Sequence, residues 1–134
     1  MEKILGFFFT GCCLAVVPGM LVAAEAQSAL YSQAQSERGA AVYTANCASC
    51  HASDLRGNSN SPGLVGVGFQ FLWQGRPLSE FYNKMRSNMP TNNPASLPEQ
   101  SYIDLLAFIL QQNDYPSGPE ELEAATIEDD SNRF

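Results

Sequence analysis

Histidine is almost missing from this chain: His51 is the only one among 134 residues. Cysteine is scarce as well, confined to Cys12, Cys13, Cys47 and Cys50, and Trp73 is the single tryptophan. Apart from Cys12 and Cys13 near the start, the soft ligands form one cluster, and beyond it the chain has no second cysteine or histidine pair, which a four-ligand structural zinc site would require. Basic residues are few too, 7 Lys and Arg against 14 Asp and Glu for a net charge of -7, so no strongly basic face for nucleic acid exists. No strand-like run and no internal repeat interrupts the sequence, and beyond residue 24 no long apolar stretch remains.

What is present divides into three parts. Residues 1–26 open with Glu2 and Lys3, continue uncharged from residue 4 to 24, and end in small residues around Ala24, Glu25 and Ala26. That order matches a secretory signal with an A-x-A-like cleavage site. The uncharged run also has about the 20 residues a bilayer span needs, so a retained anchor is the alternative. A lipid-modified Cys12 is a third, weaker fit, because no aliphatic residue stands in the usual place before the small pair. Pro18 and Gly19 break the run near its end, which favours cleavage and a mature chain starting near Gln27. No membrane span would then remain, and Cys12 and Cys13 would leave with the signal.

Residues 27–115 form the domain and are nearly neutral. Glu37, Asp54, Glu80, Glu99, Asp104 and Asp114 are balanced by Arg38, Arg56, Arg76, Lys84 and Arg86. Residues 116–134 read PSGPEELEAATIEDDSNRF, with most of the excess acid and hardly any large apolar side chain. Such a composition predicts a disordered, acidic tail.

Within the domain three helices are expected. Residues 34–46 form the first, with Gly39, Ala40 and Tyr43 on one side. Residues 78–89 form the second, N-capped by Ser79, with Phe81, Tyr82 and Met85 as its apolar side. Residues 96–113 form the third, opened by a Ser96/Glu99 capping box with Pro98 in the first turn. Its stripe of Tyr102, Leu105, Leu106 and Ile109, widened by Ile103 and Leu110, predicts burial on more than one side. Residues 53–77 are rich in glycine and without helical period, and read as a long irregular segment that wraps something. The fold class is all-α, and a core this small needs an additional staple.

CASCH at residues 47–51 concentrates the chemistry. A thioredoxin-type dithiol would stand beside a βαβ pattern, which is lacking. A disulfide between Cys47 and Cys50 would close too small a loop to stabilise much. Read as C-x-x-C-H, the segment is a c-type haem attachment motif: two thiols become thioethers and the adjacent His51 ligates iron. With no second histidine, the sixth iron ligand must come from Met85 or Met89. Met85 lies on a helix stripe and suits core packing. Met89, just past a helix end and before Pro90, suits the iron.

Taken in order, CASCH, LRG, SPGLVG, Trp73, SNMP and the last amphipathic helix resemble a class I c-type cytochrome. The stretch from Met89 through LPEQSYIDLLAFILQQNDYPSG is similar to cytochromes associated with bacterial quinoprotein alcohol dehydrogenases. The resemblance implies a small cytochrome c fold with long loops around a single covalent haem c. It implies that the Pro62 carbonyl accepts from the axial histidine's free N–H, and that the Trp73 ring N–H reaches a haem propionate unless Trp73 is plain core. Arg56 is a candidate propionate partner, or a solvated loop arginine. Gly39 and Tyr43 are the expected close contact of the first and last helices, with a tyrosine where phenylalanine is commoner.

The expected function is a periplasmic single-haem electron carrier, not an enzyme. It would take electrons from a dehydrogenase and pass them to an oxidase or another cytochrome, as a monomer or as a dehydrogenase subunit. An open-site haem enzyme, or a non-redox export protein with an incidental C-x-x-C, are the rival readings.

Overall fold

The computed structural model describes residues 29–134. The expected signal segment, residues 1–26, lies outside the described residues. Six helices and no strand occur among those described, in accord with the all-α expectation. They are α1 (Gln33–Asn46), α2 (Ala48–His51), α3 (Gly66–Trp73), α4 (Leu78–Asn88), α5 (Glu99–Gln112) and α6 (Ala124–Glu128).

The crossing of α1 over α5 organises the core. Gly39 is needed there because a Cβ at that position would collide with the Asp104 backbone carbonyl. One turn on, Tyr43 packs on Phe108 with ring centroids 5.4 Å apart. α5 buries every residue from Tyr102 to Leu110. Its fully buried Leu105, Leu106, Ile109 and Leu110 each contribute about 1.5–3 kcal/mol by leaving water. Asp104 is tolerated in that run because Arg38 Nε and Nη2 donate to its carboxylate at 3.0 and 3.2 Å and Gln100 Nε2 at 2.9 Å.

Helix starts differ from those expected. Ser32 caps α1, its hydroxyl accepting from Gln35 N at 3.1 Å. α4 and α5 instead begin after Pro77 and Pro98, with no side-chain cap from Ser79 or Ser96. Both prolines occupy the N-cap positions themselves, with extended ψ of 143° and 147°, so Pro98 stands just before the first turn and not in it. α3 lies in the stretch expected to be irregular. It hides Phe69 and Trp73 and leaves Val67 and Phe71, on its other side, open to solvent.

The expectation of a disordered tail is corrected. Residues 116–134 lie along the domain and bury Leu122, Ile127 and Phe134. Gly118 N donates to Tyr31 O at 2.8 Å, and Gln35 holds both backbone groups of Leu122. Arg38 reaches Glu121 at 2.9 Å. At the far end, Gly75 N donates to Phe134 O at 2.7 Å, and Leu78 N to Asn132 O at 3.0 Å. Phe134 then enters an aromatic cluster with Phe69, Trp73, Phe81 and Tyr115. Three spaced apolar anchors and a set of backbone bonds offset the ordering entropy that composition alone left uncompensated.

Candidate haem site

The C-x-x-C-H segment folds as a continuation of α1. Cys47 N donates to Tyr43 O at 2.8 Å, so Cys47 ends α1 and at the same time starts α2. Within α2, Cys50 N and His51 N both donate to Cys47 O, at 3.1 and 2.9 Å. The two thiols are therefore one helical turn apart, and the imidazole follows directly. Among the described residues Cys47 and Cys50 are unpaired, Cys47 half-buried and Cys50 exposed.

A single turn of helix leaves its last carbonyls without intrahelical partners. Three separate donors satisfy them here. Asn58 Nδ2 takes Cys50 O at 2.7 Å, Gly57 N takes His51 O at 2.9 Å, and the Tyr43 hydroxyl takes Ala52 O at 2.6 Å. The hydroxyl that distinguishes Tyr43 from phenylalanine thus has a specific partner at the end of α2. Gly57 is required in this loop: its φ is +72°, and a Cβ there would collide with the chain at Ser61, Pro62 and Gly63.

The imidazole itself is oriented by the returning loop. His51 is buried, and its Nδ1 lies 2.9 Å from Pro62 O. A carbonyl only accepts, so Nδ1 carries a proton, and the neutral tautomer that makes this bond has its lone pair on Nε2. A neutral imidazole held in that tautomer is the form that binds a metal. Burial, and then the neighbouring Cys50, pushes the Cys47 thiol up to about 11. Among the described residues no group of three or more His, Cys, Asp or Glu side chains is disposed to hold a bare metal ion. Two adjacent alkylatable thiols and one oriented imidazole therefore fit a haem better than a zinc knuckle.

Met89 and Met85 occupy successive turns at the end of α4. Met89 is the C-cap, its N–H donating to Met85 O at 2.9 Å and its carbonyl accepting from the Tyr102 hydroxyl at 2.7 Å. Met85 is partly buried against the core. Trp73 is buried in the cluster with Phe69, Phe81 and Phe134, and the Arg76 guanidinium sits 4.6 Å over its ring. Arg56 stands apart from these groups, its side chain 82% exposed and 3.8 Å from Asp54. Tyr102 and Asn58, which hold Met89 and Cys50, were not singled out from sequence; a tyrosine on a buried stripe and an asparagine in a polar loop carry no distinguishing pattern.

The fold is shared with the solved structure of the sulfane dehydrogenase SoxCD from Paracoccus pantotrophus, at a TM-score of 0.50 and 22% identity. That likeness covers 80% of this chain and 60% of the other. No curated protein matches the chain. No helix among the described residues is long and apolar enough to cross a membrane. Residues 34–109 match the family model for cytochrome c oxidase, cbb3-type, subunit III, and the chain belongs to that family of c-type cytochromes, whose cofactor is covalently bound haem c.

Proposed function

We propose that this protein is an exported, single-haem electron carrier or electron-transfer subunit working between a periplasmic dehydrogenase and a downstream oxidase or cytochrome. The observation that carries the reading is His51 on the turn that also bears Cys47 and Cys50, with its Nδ1 held by Pro62 O. A cytochrome c domain transfers electrons and is not an enzyme in its own right.

Cys47 and Cys50 would hold the haem as thioethers, and His51 Nε2 and the Met89 sulfur would ligate its iron. When bound, the haem supplies a reversible one-electron centre, with a potential raised by methionine ligation. The protein's own contributions are positional. Pro62 fixes the His51 tautomer and strengthens it as a donor. Tyr102 pins the Met89 carbonyl to the buried α5, which restrains the backbone of the second ligand. Trp73, whose ring N–H makes no hydrogen bond within the described residues, would serve a propionate, with Arg56 as a second candidate.

The oxidase side of the proposal draws on the family description, and the dehydrogenase side on the SoxCD fold. The narrower suggestion of a quinoprotein alcohol dehydrogenase rests on the sequence from Met89 onward. Export to the periplasm rests on the order of residues 1–26.

Full-length protein expressed in an exporting, cytochrome-maturing host tests the proposal by intact mass. A haem adduct that survives denaturation, on a chain shortened to start near Gln27, is expected. Cys47→Ala or Cys50→Ala should sharply lower holoprotein yield. A chain without haem mass from such a host overturns the reading.

A further inference from the structure

Asn113, the C-cap of α5, is a buried amide with an unusual division of labour. Its Nδ2 donates to Ile109 O on its own helix and to Leu64 O in the loop before α3, both at 2.9 Å. Both partners are carbonyls, so the nitrogen must face them and the amide orientation follows from chemistry. Its Oδ1 is buried with no partner, beside a cavity of about 130 Å³ lined also by Gln70, Gln74 and Tyr115.

The loop it grips is the one that orients His51. Pro62 offers its carbonyl to His51 Nδ1 but has no N–H with which to anchor itself. The next anchored residue is Leu64, whose N–H donates to Leu55 O at 2.7 Å and whose carbonyl accepts from Asn113. Leu64 is thus held on both sides, by the buried Leu55 in the preceding loop and by Asn113 at the end of α5, the helix that α1 crosses.

We propose that Asn113 is a positioning residue for His51: its amide fixes the Leu64 carbonyl and thereby holds Pro62 O against His51 Nδ1. The inference rests on His51 being the axial ligand. A side chain here needs two N–H donors on one nitrogen, which leucine lacks and which aspartate replaces with an acceptor facing two carbonyls. With the clamp removed, Pro62 O is free to drift and the Nδ1–H bond weakens. His51 becomes a poorer donor to iron, and the oxidised haem, which that donation favours, loses stability relative to the reduced haem.

The test uses the full-length holoprotein and reads the His51 Nδ1 proton by NMR in the reduced state, together with the reduction potential. In Asn113→Leu that proton should exchange with solvent about tenfold faster, the factor corresponding to the net worth of one hydrogen bond, and the potential should rise. Leu122→Ala, which removes a buried side chain on the 116–134 segment, supplies a destabilised control whose proton and potential should stay as in the wild type. If Asn113→Leu gives no holoprotein, Asn113→Ser, which keeps one donor, carries the same comparison with a smaller effect. Unchanged exchange and potential in the Asn113 variant, or equal changes in Leu122→Ala, overturn the proposal. His51→Ala separates the two layers: a retained six-coordinate spectrum would refute the ligand reading itself, whereas its loss beside an indifferent Asn113 variant would refute only the role of Asn113.

Discussion

Gln35 and Leu122 exchange two buried hydrogen bonds, Gln35 Nε2 to Leu122 O at 2.9 Å and Leu122 N to Gln35 Oε1 at 2.7 Å. A side-chain amide here does what a neighbouring strand would do, satisfying both backbone groups of a residue whose own side chain is buried. Gln35→Ala should leave a buried N–H and C=O unpaired, at a cost of about 1–3 kcal/mol for each group left without water. Denaturant melts of the holoprotein check it. Cutting the chain after Tyr115 should cost more, because Leu122, Ile127 and Phe134 are lost together. A cut protein as stable as the intact one would show that the segment adds nothing to the fold.

The two methionines of α4 should respond in opposite ways. Met89→Ala should abolish the iron–sulfur charge-transfer band and lower the reduction potential, with the fold kept. Met85 is only partly buried, so Met85→Ala should cost less than the about 2–5 kcal/mol of a fully buried methionine and leave the band in place. Absorbance in the charge-transfer region and a redox titration decide between them; a surviving band in Met89→Ala would move the ligand to another residue.

Tyr43 makes the stability depend on alkaline pH. Burial first, then the charges of Cys47 and Asp54, push its phenol from the ordinary 10.0 up to about 12. The folded state therefore keeps a proton that the unfolded state releases. The associated stability is fully present below pH 10 and is lost as pH rises from 10 toward 12. Burial remains as a cause once Cys47 is a thioether. Tyr43→Phe should be less stable at pH 7 by about 0.5–1.5 kcal/mol, through loss of the bond to Ala52 O. Its deficit should shrink by pH 11. Denaturant midpoints across that range measure the gap, and a constant deficit would mean that the phenol is not held neutral by the fold.

How much of this was legible in the sequence depends on how each feature is encoded. The placing of Cys47, Cys50 and His51 on one turn was readable because their C-x-x-C-H spacing is that of a helical turn and stands alone in the chain. α5 was readable because its apolar stripe is long and periodic. α3 was not, because Val67 and Phe71 are apolar yet exposed, which erases the contrast with buried Phe69 and Trp73, while Gly66 and Gly68 argue against helix. The 116–134 segment was misread for a related reason. Leu122, Ile127 and Phe134 are single anchors among acids, and composition averages them away, although each is buried in the core cluster. Gln35 shows the same limit from the other side: Ser32-x-x-Gln35 has the spacing of a capping box, but its glutamine serves residue 122 instead.

The order of the 116–134 segment also changes what its charge can do. Glu120, Glu123, Glu128, Asp129 and Asp130 are exposed on a segment fixed to the domain, so their field has a fixed direction. Glu121 is committed to Arg38, and Asp129 accepts from Ser131 N at 2.9 Å, so neither can be neutralised without disturbing structure. Glu120, Glu123 and Asp130 make no side-chain ion pair among the described residues and are the ones to change. Electron-transfer partners meet through small interfaces, at rates set by charge complementarity and reduced by salt. A Glu120→Gln, Glu123→Gln, Asp130→Asn triple variant should therefore keep the spectrum, potential and melting temperature of the wild type. Its bimolecular reaction with a basic redox protein should depend less steeply on ionic strength, since exposed charges act within about 10 Å at 0.1 M salt. Stopped-flow rates from low to high salt measure the slope. Superimposable curves for variant and wild type would assign these acids to solvation alone and move the docking surface away from the 116–134 segment.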